Sequence, residues 1–160
     1  MKVFTSRQGD IYLGNVKDGL QKAIRALDPS LVVILADDNT VQHCVPLAES
    51  LADAGMRIVI TSGDQHKTLE SCETIWASLV ESSADRESLI LNVGGGMICD
   101  LGGFAASCYQ RGIRFSHLPT SLLSMADAAI GGKTGVNFEG YKNYLGRFEA
   151  PSFIWIDPVF

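Results

Sequence analysis

Three consecutive glycines, Gly94, Gly95 and Gly96, are the residues best suited to bind a ligand. They follow a short apolar run at residues 89–93 and precede a helical segment that includes Met97. A helix that starts directly after a strand offers unpaired backbone N–H groups and a positive dipole end, which suit a phosphate. Glycine permits both positive φ and the close approach of a ligand. The pattern therefore indicates a pyrophosphate-binding turn, with a tight turn that binds nothing as the alternative.

Spacing excludes two common nucleotide motifs. The glycines do not form G-x-G-x-x-G, so the usual dinucleotide fingerprint does not apply. Gly132, Lys133 and Thr134 look like the end of a P-loop, but a P-loop needs glycine where this chain has Asp127. We therefore expect no ATP-binding P-loop.

Polar residues follow two other apolar runs of the chain. Asp37 and Asn39 come directly after residues 31–36, and Asp64 and Lys67 follow the next predicted strand. An acidic side chain at such a strand end can accept hydrogen bonds from ribose hydroxyls. The alternative is that Asn39 and Asp64 cap the helices that follow and that Lys67 lies in solvent. The sequence leaves both interpretations open.

Cationic and amide side chains cluster in the region after the glycines. Arg111, Lys133, Lys142 and Asn143 have few acidic neighbours in the sequence, which favours an anionic substrate over solvated surface charge. Asp100 near the start of the helix would complement the helix dipole, whether or not it also binds a ligand.

Apolar runs and helical periodicity alternate along the chain. The alternation predicts an α/β fold with a Rossmann-like, mostly parallel sheet flanked by helices. Ligands bind at the carboxyl ends of such strands, so Asp37, Asp64 and Gly94 should share one edge of the sheet. After a short β entry over 1–13, broken at Gln8, Gly9 and Asp10, the predicted strands are 31–36, 57–61, 89–93, one near Phe115 and 153–156. The predicted helices are 16–27, 41–54 closed by Gly55, 68–82, 97–109 and 121–129. Residues 131–137 are predicted as a glycine-rich loop.

Composition limits the possible partners and location. The net charge of −5 opposes a nucleic-acid-binding face. No apolar run approaches the length of a membrane span, and the first residues lack the apolar core of a signal peptide, so we expect a cytoplasmic protein. The four cysteines form no C-x-x-C pair and are expected to be buried free thiols. His43, His66 and His117 lack the spacing of a helical metal pair, so no metal site is expected in the chain.

Four segments, residues 94–104, 111–115, 119–123 and 131–137, together resemble the N-terminal, NAD-binding domain of the 3-dehydroquinate synthase family. The resemblance extends over nearly the whole chain. It implies a two-domain enzyme, of which residues 1–160 are the NAD-binding part. A second, helical domain outside this chain would supply a Glu and two His ligands to zinc or cobalt.

The resemblance also implies a reaction. Members use bound NAD to cyclise 3-deoxy-D-arabino-heptulosonate 7-phosphate to 3-dehydroquinate, with elimination of phosphate, in the shikimate pathway. They are carbon–oxygen lyases, and this chain alone would be inactive without the metal-binding half. The substrate, a sugar-acid phosphate, would bind next to the cofactor.

Individual residues receive roles from the same resemblance. Asp127, Lys133 and Asn143 match substrate positions, and Arg111 matches an arginine that reaches the substrate phosphate across a dimer interface, so a homodimer is implied. The NAD-contacting positions would be Asp37, Asn39, Asp64, Lys67, Gly95, Gly96, Met97, Asp100, Thr120, Ser121 and Lys142.

Several positions depart from the family pattern. Asp64 stands where Glu is common and Ser121 where Thr is usual, and both changes are mild. Cys99 and Tyr141 replace usual glycines, which leaves open a related cyclase of the 2-deoxy-scyllo-inosose or valiolone type. An iron-type alcohol dehydrogenase is disfavoured, because that group lacks the stretch at 131–137. A nucleotide-binding module without catalysis of its own is a further alternative.

Overall fold

The computed structural model describes residues 1–6 and 9–160. Gln8, one residue of the predicted break, lies outside the described residues, and Gly9 and Asp10 already belong to a strand. In chain order the strands are β1 Lys2–Ser6, β2 Gly9–Leu13, β3 Val32–Asp37, β4 Met56–Ile60, β5 Leu89–Gly94, β6 Arg114–Pro119, β7 Lys133–Phe138, β8 Tyr141–Phe148 and β9 Phe153–Ile156.

Seven of these strands form one sheet in the order β1-β2-β9-β6-β5-β3-β4. Every pair in it is parallel except β1 with β2, which confirms the predicted mostly parallel sheet. The helices are α1 Leu20–Ala26, α2 Thr40–His43, α3 Val45–Ala52, α4 Leu69–Glu81 and α5 Gly96–Cys108, with 3-10 turns at Val16–Asp18, Asp64–His66 and Tyr109–Arg111 and a π-helical turn at Ser124–Ala128.

Helices cover both faces of the sheet, and side chains alternate between the two layers. On β3, Leu35 packs with α4 and α5, whereas its neighbour Ile34 packs with α1 and α3. All six residues of β3 and all six of β5 are buried, as continuous apolar runs predict for strands covered on both faces. Burying one such aliphatic side chain stabilises the fold by about 1.5–3 kcal/mol.

A polar pair lies beneath α5 at the centre of the sheet. Asn92 on β5 and His117 on β6 are opposite each other and fully or nearly fully buried, with Asn92 Nδ2 3.2 Å from His117 Nδ1. A Cβ on Gly102 of α5 would overlap Asn92 Oδ1 and lie 2.7 Å from Leu35 Cδ2. The helix can therefore approach the sheet only because residue 102 is glycine.

Two predicted helices are each divided in the structure. The helix expected over 41–54 becomes α2 and α3 with a break at Cys44, because Pro46 in the first turn of α3 has no N–H to continue the helix. The second part, α3, ends at Ala52 with Asp53 as its C-cap at φ 52°, and Gly55 does not close it. The helix expected over 16–27 is divided at Gly19 into a 3-10 turn and α1.

The prediction of a glycine-rich loop is wrong, because this segment forms β7, which pairs with β8 in an antiparallel hairpin. Gly135 and Gly146 face each other across the hairpin, and a Cβ on Gly135 would lie 2.7 Å from Leu145 O, so these glycines allow the two backbones to approach. The turn is formed by Glu139 and Gly140, which both have positive φ.

The four cysteines are free, and three are buried as expected, whereas Cys108 is exposed at the end of α5. Among the described residues, no helix combines the length and apolar character that a membrane span requires.

Candidate functional site

The carboxyl ends of three parallel neighbours meet at one edge of the sheet. Asp37 ends β3, Gly94 ends β5, and Asp64 opens the 3-10 turn that follows β4. Since β3 pairs in parallel with both β4 and β5, the prediction that these residues share an edge is confirmed.

Different structural features account for the glycine at each of the three positions of the turn. None has positive φ, so the turn does not use the left-handed conformation that glycine permits. A Cβ on Gly94 would lie 2.6 Å from Ile98 Cβ, so the packing of α5 requires glycine there. Gly95 has φ −73° and ψ −170°, which any residue adopts, and an added Cβ would come no closer than 3.6 Å to Ser121 Oγ.

Gly95 lies at the N-terminus of α5, with room for a Cβ in ordinary contact with Ser121 Oγ. Gly95 is the N-cap of this 13-residue helix and provides no side-chain cap, and Gly96 and Met97 begin its first turn. A Cβ on Gly96 would be 3.3 Å from Ala128 Cβ, which is tight but close to ordinary contact. Free N–H groups, a positive dipole end and space beside Gly95 fit the pyrophosphate of a dinucleotide.

Residues from the end of β6 form one side of this turn. Thr120 N donates a hydrogen bond to Gly94 O at 3.0 Å, which holds the two strand ends together. Ser121 Oγ lies 2.9 Å from Ser124 Oγ at the beginning of the π-helical turn. Both predicted cofactor residues therefore border the glycine turn.

Lys67 is the centre of a buried charge network. It is only 4% exposed, and its Nζ lies 3.0 Å from Asp100 Oδ2, 2.5 Å from Asn143 Oδ1 and 3.6 Å from Asp64 Oδ1. This position contradicts the alternative in which Lys67 lies in solvent. Asp100 belongs to the second turn of α5, so its main partner is Lys67 and not the helix dipole.

Two carboxylates of the network have opposite pKa shifts. Burial raises the pKa of Asp100, and the ammonium of Lys67 acts against that rise. Asp64 is more exposed, and the hydrogen bond from Lys142, at 2.9 Å, contributes most to lowering the pKa of Asp64. Thr68, whose side chain accepts from Ser71 N, caps α4, so Asp64 does not cap that helix.

Asp37 caps the helix that Asn39 was considered to cap. Asp37 Oδ1 accepts hydrogen bonds from Asn39 N at 3.0 Å and Thr40 N at 2.8 Å, whereas Asn39 makes no side-chain cap bond. The carboxylate of Asp37 is thus fixed at the end of β3. The roles of Asp37 and Asn39 toward NAD stay predictions.

A cleft of about 470 Å³ lies beside α5 and between the π-helical turn and the hairpin. Three predicted substrate residues, Asp127, Lys133 and Asn143, line it together with Asp100. Asp127 lies in the π-helical turn, a conformation often found at functional sites. The remaining lining residues are Ala128, Gly131, Thr134, Gly135, Tyr144, Gly146, Arg147 and Phe148.

Sequence reasoning missed part of this cleft because it missed the hairpin. Alternation along β8 places Tyr144 and Phe148 on the same side, and both line the cleft. Arg147 also lines it, while its Nη2 lies 3.0 Å from Glu149 Oε2. The two-residue turn at Glu139 and Gly140 was the sequence signal that could have revealed the hairpin.

Arg111 lies at the opposite end of α5 from the glycine turn. It lies in the 3-10 turn after α5, whereas the glycines precede α5, and a 13-residue helix is about 20 Å long. It lines a separate cavity of about 310 Å³ with Arg86 and Glu149. Its role across a dimer interface stays a prediction.

Within residues 1–6 and 9–160, no group of three or more His, Cys, Asp or Glu side chains is arranged to hold a metal ion. His117 is buried against Asn92, within the sheet. The described residues therefore do not fit a metal centre of their own.

A seven-stranded, mostly parallel sheet with a glycine turn at its carboxyl edge defines a Rossmann-like α/β domain, a fold that two sugar-phosphate cyclases share. Over 98% of this chain and 46% of the other, the fold matches the crystal structure of a 2-deoxy-scyllo-inosose synthase with a TM-score of 0.89 and 25% identity. A 2-epi-5-epi-valiolone synthase from Streptomyces hygroscopicus, solved with NAD+ and Zn2+ bound, matches with a TM-score of 0.80 and 28% identity over 99% of this chain and 45% of that one.

Sequence comparison specifies the family. Residues 57–160 match the family model of the 3-dehydroquinate synthase N-terminal domain. The 3-dehydroquinate synthase of Parabacteroides distasonis is 41% identical over 154 residues, covering 95% of this chain and 44% of the relative. That of a Sulfurovum species is 52% identical over 103 residues, covering 64% of this chain and 29% of the relative.

The chain belongs to the 3-dehydroquinate synthase family. It spans less than half the length of these curated relatives.

Proposed function

We propose that this chain is the NAD-binding part of a two-domain enzyme that cyclises 3-deoxy-D-arabino-heptulosonate 7-phosphate to 3-dehydroquinate with loss of phosphate. The observation that carries the proposal is that α5 connects two candidate sites, the glycine turn at its N-terminus and the cleft beside it. Gly95 is the N-cap of this helix, and Asp100, in its second turn, lines the cleft that also contains Lys133 and Asn143. A cofactor bound at the turn and a substrate bound in the cleft would therefore be neighbours.

The residues present suit the two ligands. Bound NAD would supply reversible hydride transfer at one ring hydroxyl of the substrate. Lys133 is exposed at the cleft and provides a positive charge for an anionic substrate, and Asn143 provides an amide that can donate or accept. Asp127 also lines the cleft, and it would orient a substrate hydroxyl. The metal ion of the whole enzyme would be bound by its second domain, outside this chain.

A related sugar-phosphate cyclase is the second candidate. The matched structures of 2-deoxy-scyllo-inosose synthase and 2-epi-5-epi-valiolone synthase support it, as do Cys99 and Tyr141 at unusual positions. Identity favours the first candidate, because the 3-dehydroquinate synthases match at 41–52% and those two cyclases at 25–28%. Incubating the whole enzyme with the heptulosonate phosphate and with glucose 6-phosphate would distinguish them by which compound releases phosphate.

Titration calorimetry with NAD tests the cofactor part of the proposal. Lys142 is 77% exposed and pairs with Asp64, so Lys142→Gln removes a predicted cofactor contact without disturbing the core. We expect the wild-type chain to bind NAD saturably and Lys142→Gln to weaken binding by about tenfold, the equivalent of one charge-assisted hydrogen bond.

The exposed residue Lys22 on α1 offers a matched control. Lys22→Gln makes the same change of charge on the surface of α1, and we expect it to bind NAD like the wild type. Absence of NAD binding by a folded wild-type chain, or equal weakening by the two substitutions, would contradict the proposal.

A further inference from the structure

Asn137 lies at an irregularity of the hairpin between β7 and β8. The pairing register shifts between Val136 and Phe138, which places Asn137 at a bulge. Bulges next to functional sites commonly re-aim a side chain. Here the bulge directs the half-buried side chain of Asn137 out of the hairpin and toward the turn that contains Asp64.

Four contacts fix Asn137 between two segments of the chain. Its backbone N donates to Lys67 O at 2.8 Å, and its Nδ2 donates to Asp64 O at 2.9 Å and lies 3.4 Å from Asp64 Oδ2. Its Oδ1 accepts from Asn143 N at 2.9 Å. A carbonyl can only accept and an N–H can only donate, so these backbone partners determine which way the amide points.

The contact with Asn143 supports an unusual backbone conformation. Asn143 has φ 51°, in the left-handed region that few non-glycine residues occupy. In this conformation its side chain reaches Lys67, with Oδ1 2.5 Å from Nζ. The bond from Asn137 to the Asn143 N–H therefore holds a cleft residue in the orientation in which it contacts the buried lysine.

We propose that Asn137 is a positioning residue that couples the cofactor side of the site, Asp64 and Lys67, to the substrate side, Asn143. This inference rests on the proposed function, which assigns ligands to the two sides. The other links between the same segments, Lys142 with Asp64 and Lys67 with Asn143, join side chains alone. Asn137 contacts backbone groups of both segments, so an ordering of Asp64 by NAD is transmitted directly to Asn143.

Amide hydrogen exchange at Asn143, measured by NMR on the chain with and without NAD, tests this coupling. Asn137→Leu keeps the approximate volume and removes the side-chain bonds. We expect the Asn143 amide to exchange about fivefold faster in this variant, as the loss of one ordinary hydrogen bond predicts. NAD should slow that exchange in the wild type but not in Asn137→Leu, whose affinity for NAD should fall by about threefold or more.

Asn137→Asp tests separately the bond that Asn137 accepts from Asn143 and the bond that it donates to Asp64. This variant also replaces Asn137→Leu as the test if the leucine variant does not fold. A carboxylate still accepts from Asn143 N, so protection of that amide should persist. It cannot donate to Asp64, and its charge should raise the pKa of Asp64 above the wild-type value. Asn15→Asp adds the same charge at the exposed cap of the first 3-10 turn, and we expect it to change none of these quantities.

The outcomes separate the inference from the function on which it rests. Wild-type NAD affinity and wild-type Asn143 exchange in Asn137→Leu would overturn the positioning role while leaving the proposed function intact. If the wild type binds no NAD, the proposed function fails, and the Asn143 exchange rate in the two Asn137 variants decides the positioning role on its own.

Discussion

At the scale of single residues, adjacent glycines serve different purposes. Gly94 is required by packing, because a Cβ there would lie 2.6 Å from Ile98 Cβ. Gly95 has ordinary dihedral angles, and a Cβ there would make only an ordinary contact with Ser121 Oγ at 3.6 Å, so neither backbone conformation nor packing requires glycine. The proposed NAD binding would explain the glycine, since the cofactor would approach the backbone of residue 95 closely.

Gly95→Ala is therefore expected to change binding without changing stability. The new methyl group would occupy the space in front of α5 where a phosphate would lie, so NAD affinity should fall by about tenfold or more. The free energy of unfolding should stay within about 0.5 kcal/mol of the wild type, because the methyl meets no close neighbour. Calorimetry and urea unfolding on the same preparations measure both quantities. Unchanged NAD affinity would contradict this assignment of the turn.

The elements themselves differ in how far the sequence could predict them. The apolar run at residues 31–36 predicted β3 because a strand covered on both faces has no polar positions. Parallel pairing then placed Asp37 and Gly94 at one edge. The hairpin was not predictable in the same way, because its strands contain glycines that strands usually avoid, and those glycines are explained only by backbone contacts across the pair.

The site shows the same division between local and long-range information. The glycine turn could be recognised because all its parts are consecutive in sequence. The network around Lys67 could not be derived from spacing, because its members are far apart in the sequence. Asp100 is 33 positions from Lys67, and Asn143 is 76 positions from it. Asn137 was missed for that reason as well, since its contact with Asp64 spans 73 positions.

The contact between α5 and the sheet predicts a large effect of Gly102→Ala. The added methyl would overlap the side-chain oxygen of Asn92 and crowd Leu35, both in the buried centre of the sheet. Overpacking of this kind costs about 1–3 kcal/mol or more. Urea unfolding should show this loss of stability for Gly102→Ala. Gly95→Ala is the control, because the same substitution there meets no close neighbour. Equal stabilities for the two variants would show that α5 can move away from the sheet at no cost.

The buried histidine of β6 gives the stability a defined pH dependence. Burial lowers the pKa of His117 to about 3, whereas an unfolded histidine titrates near pH 6.5. The folded state therefore binds this proton less tightly than the unfolded state. The stability that depends on neutral His117 is present above about pH 6.5 and is lost as the pH falls toward the folded pKa, by about 1.4 kcal/mol per pH unit.

Urea unfolding between pH 6 and pH 4 measures this slope. In His117→Gln the contribution of one proton should disappear, so stability should decline less steeply with falling pH than in the wild type. Equal slopes in the two proteins would mean that His117 takes up its proton in the folded state.

At the scale of the whole molecule, the surface of the chain includes several large, exposed apolar side chains. Large apolar side chains are exposed at Phe148 (82%), which lines the cleft, and at Leu122 (83%) and Leu123 (72%), which directly precede the π-helical turn. Exposed apolar patches beside a binding site commonly contact another domain or subunit. This surface agrees with the proposal that a second domain completes the site.

The chain by itself should release no phosphate from the heptulosonate phosphate. Its described residues contain no cluster that could hold a metal ion, and the polarised hydroxyl that the proposed reaction requires would depend on one. A phosphate-release assay with NAD, with and without added Zn2+ or Co2+, measures this directly. The whole enzyme under the same conditions provides the positive control. Turnover by the chain alone would show that the cleft described here is sufficient for the chemistry.

The contrast between Gly95 and its neighbours also has an evolutionary consequence. Selection for a foldable protein acts on Gly94 and Gly102, since side chains there would collide with Ile98 and Asn92. Selection on Gly95 would come only from the ligand. In a lineage that had abandoned the dinucleotide, Gly94 and Gly102 should therefore persist while position 95 drifts to alanine or serine, and the residue found there would reveal which descendants still bind it.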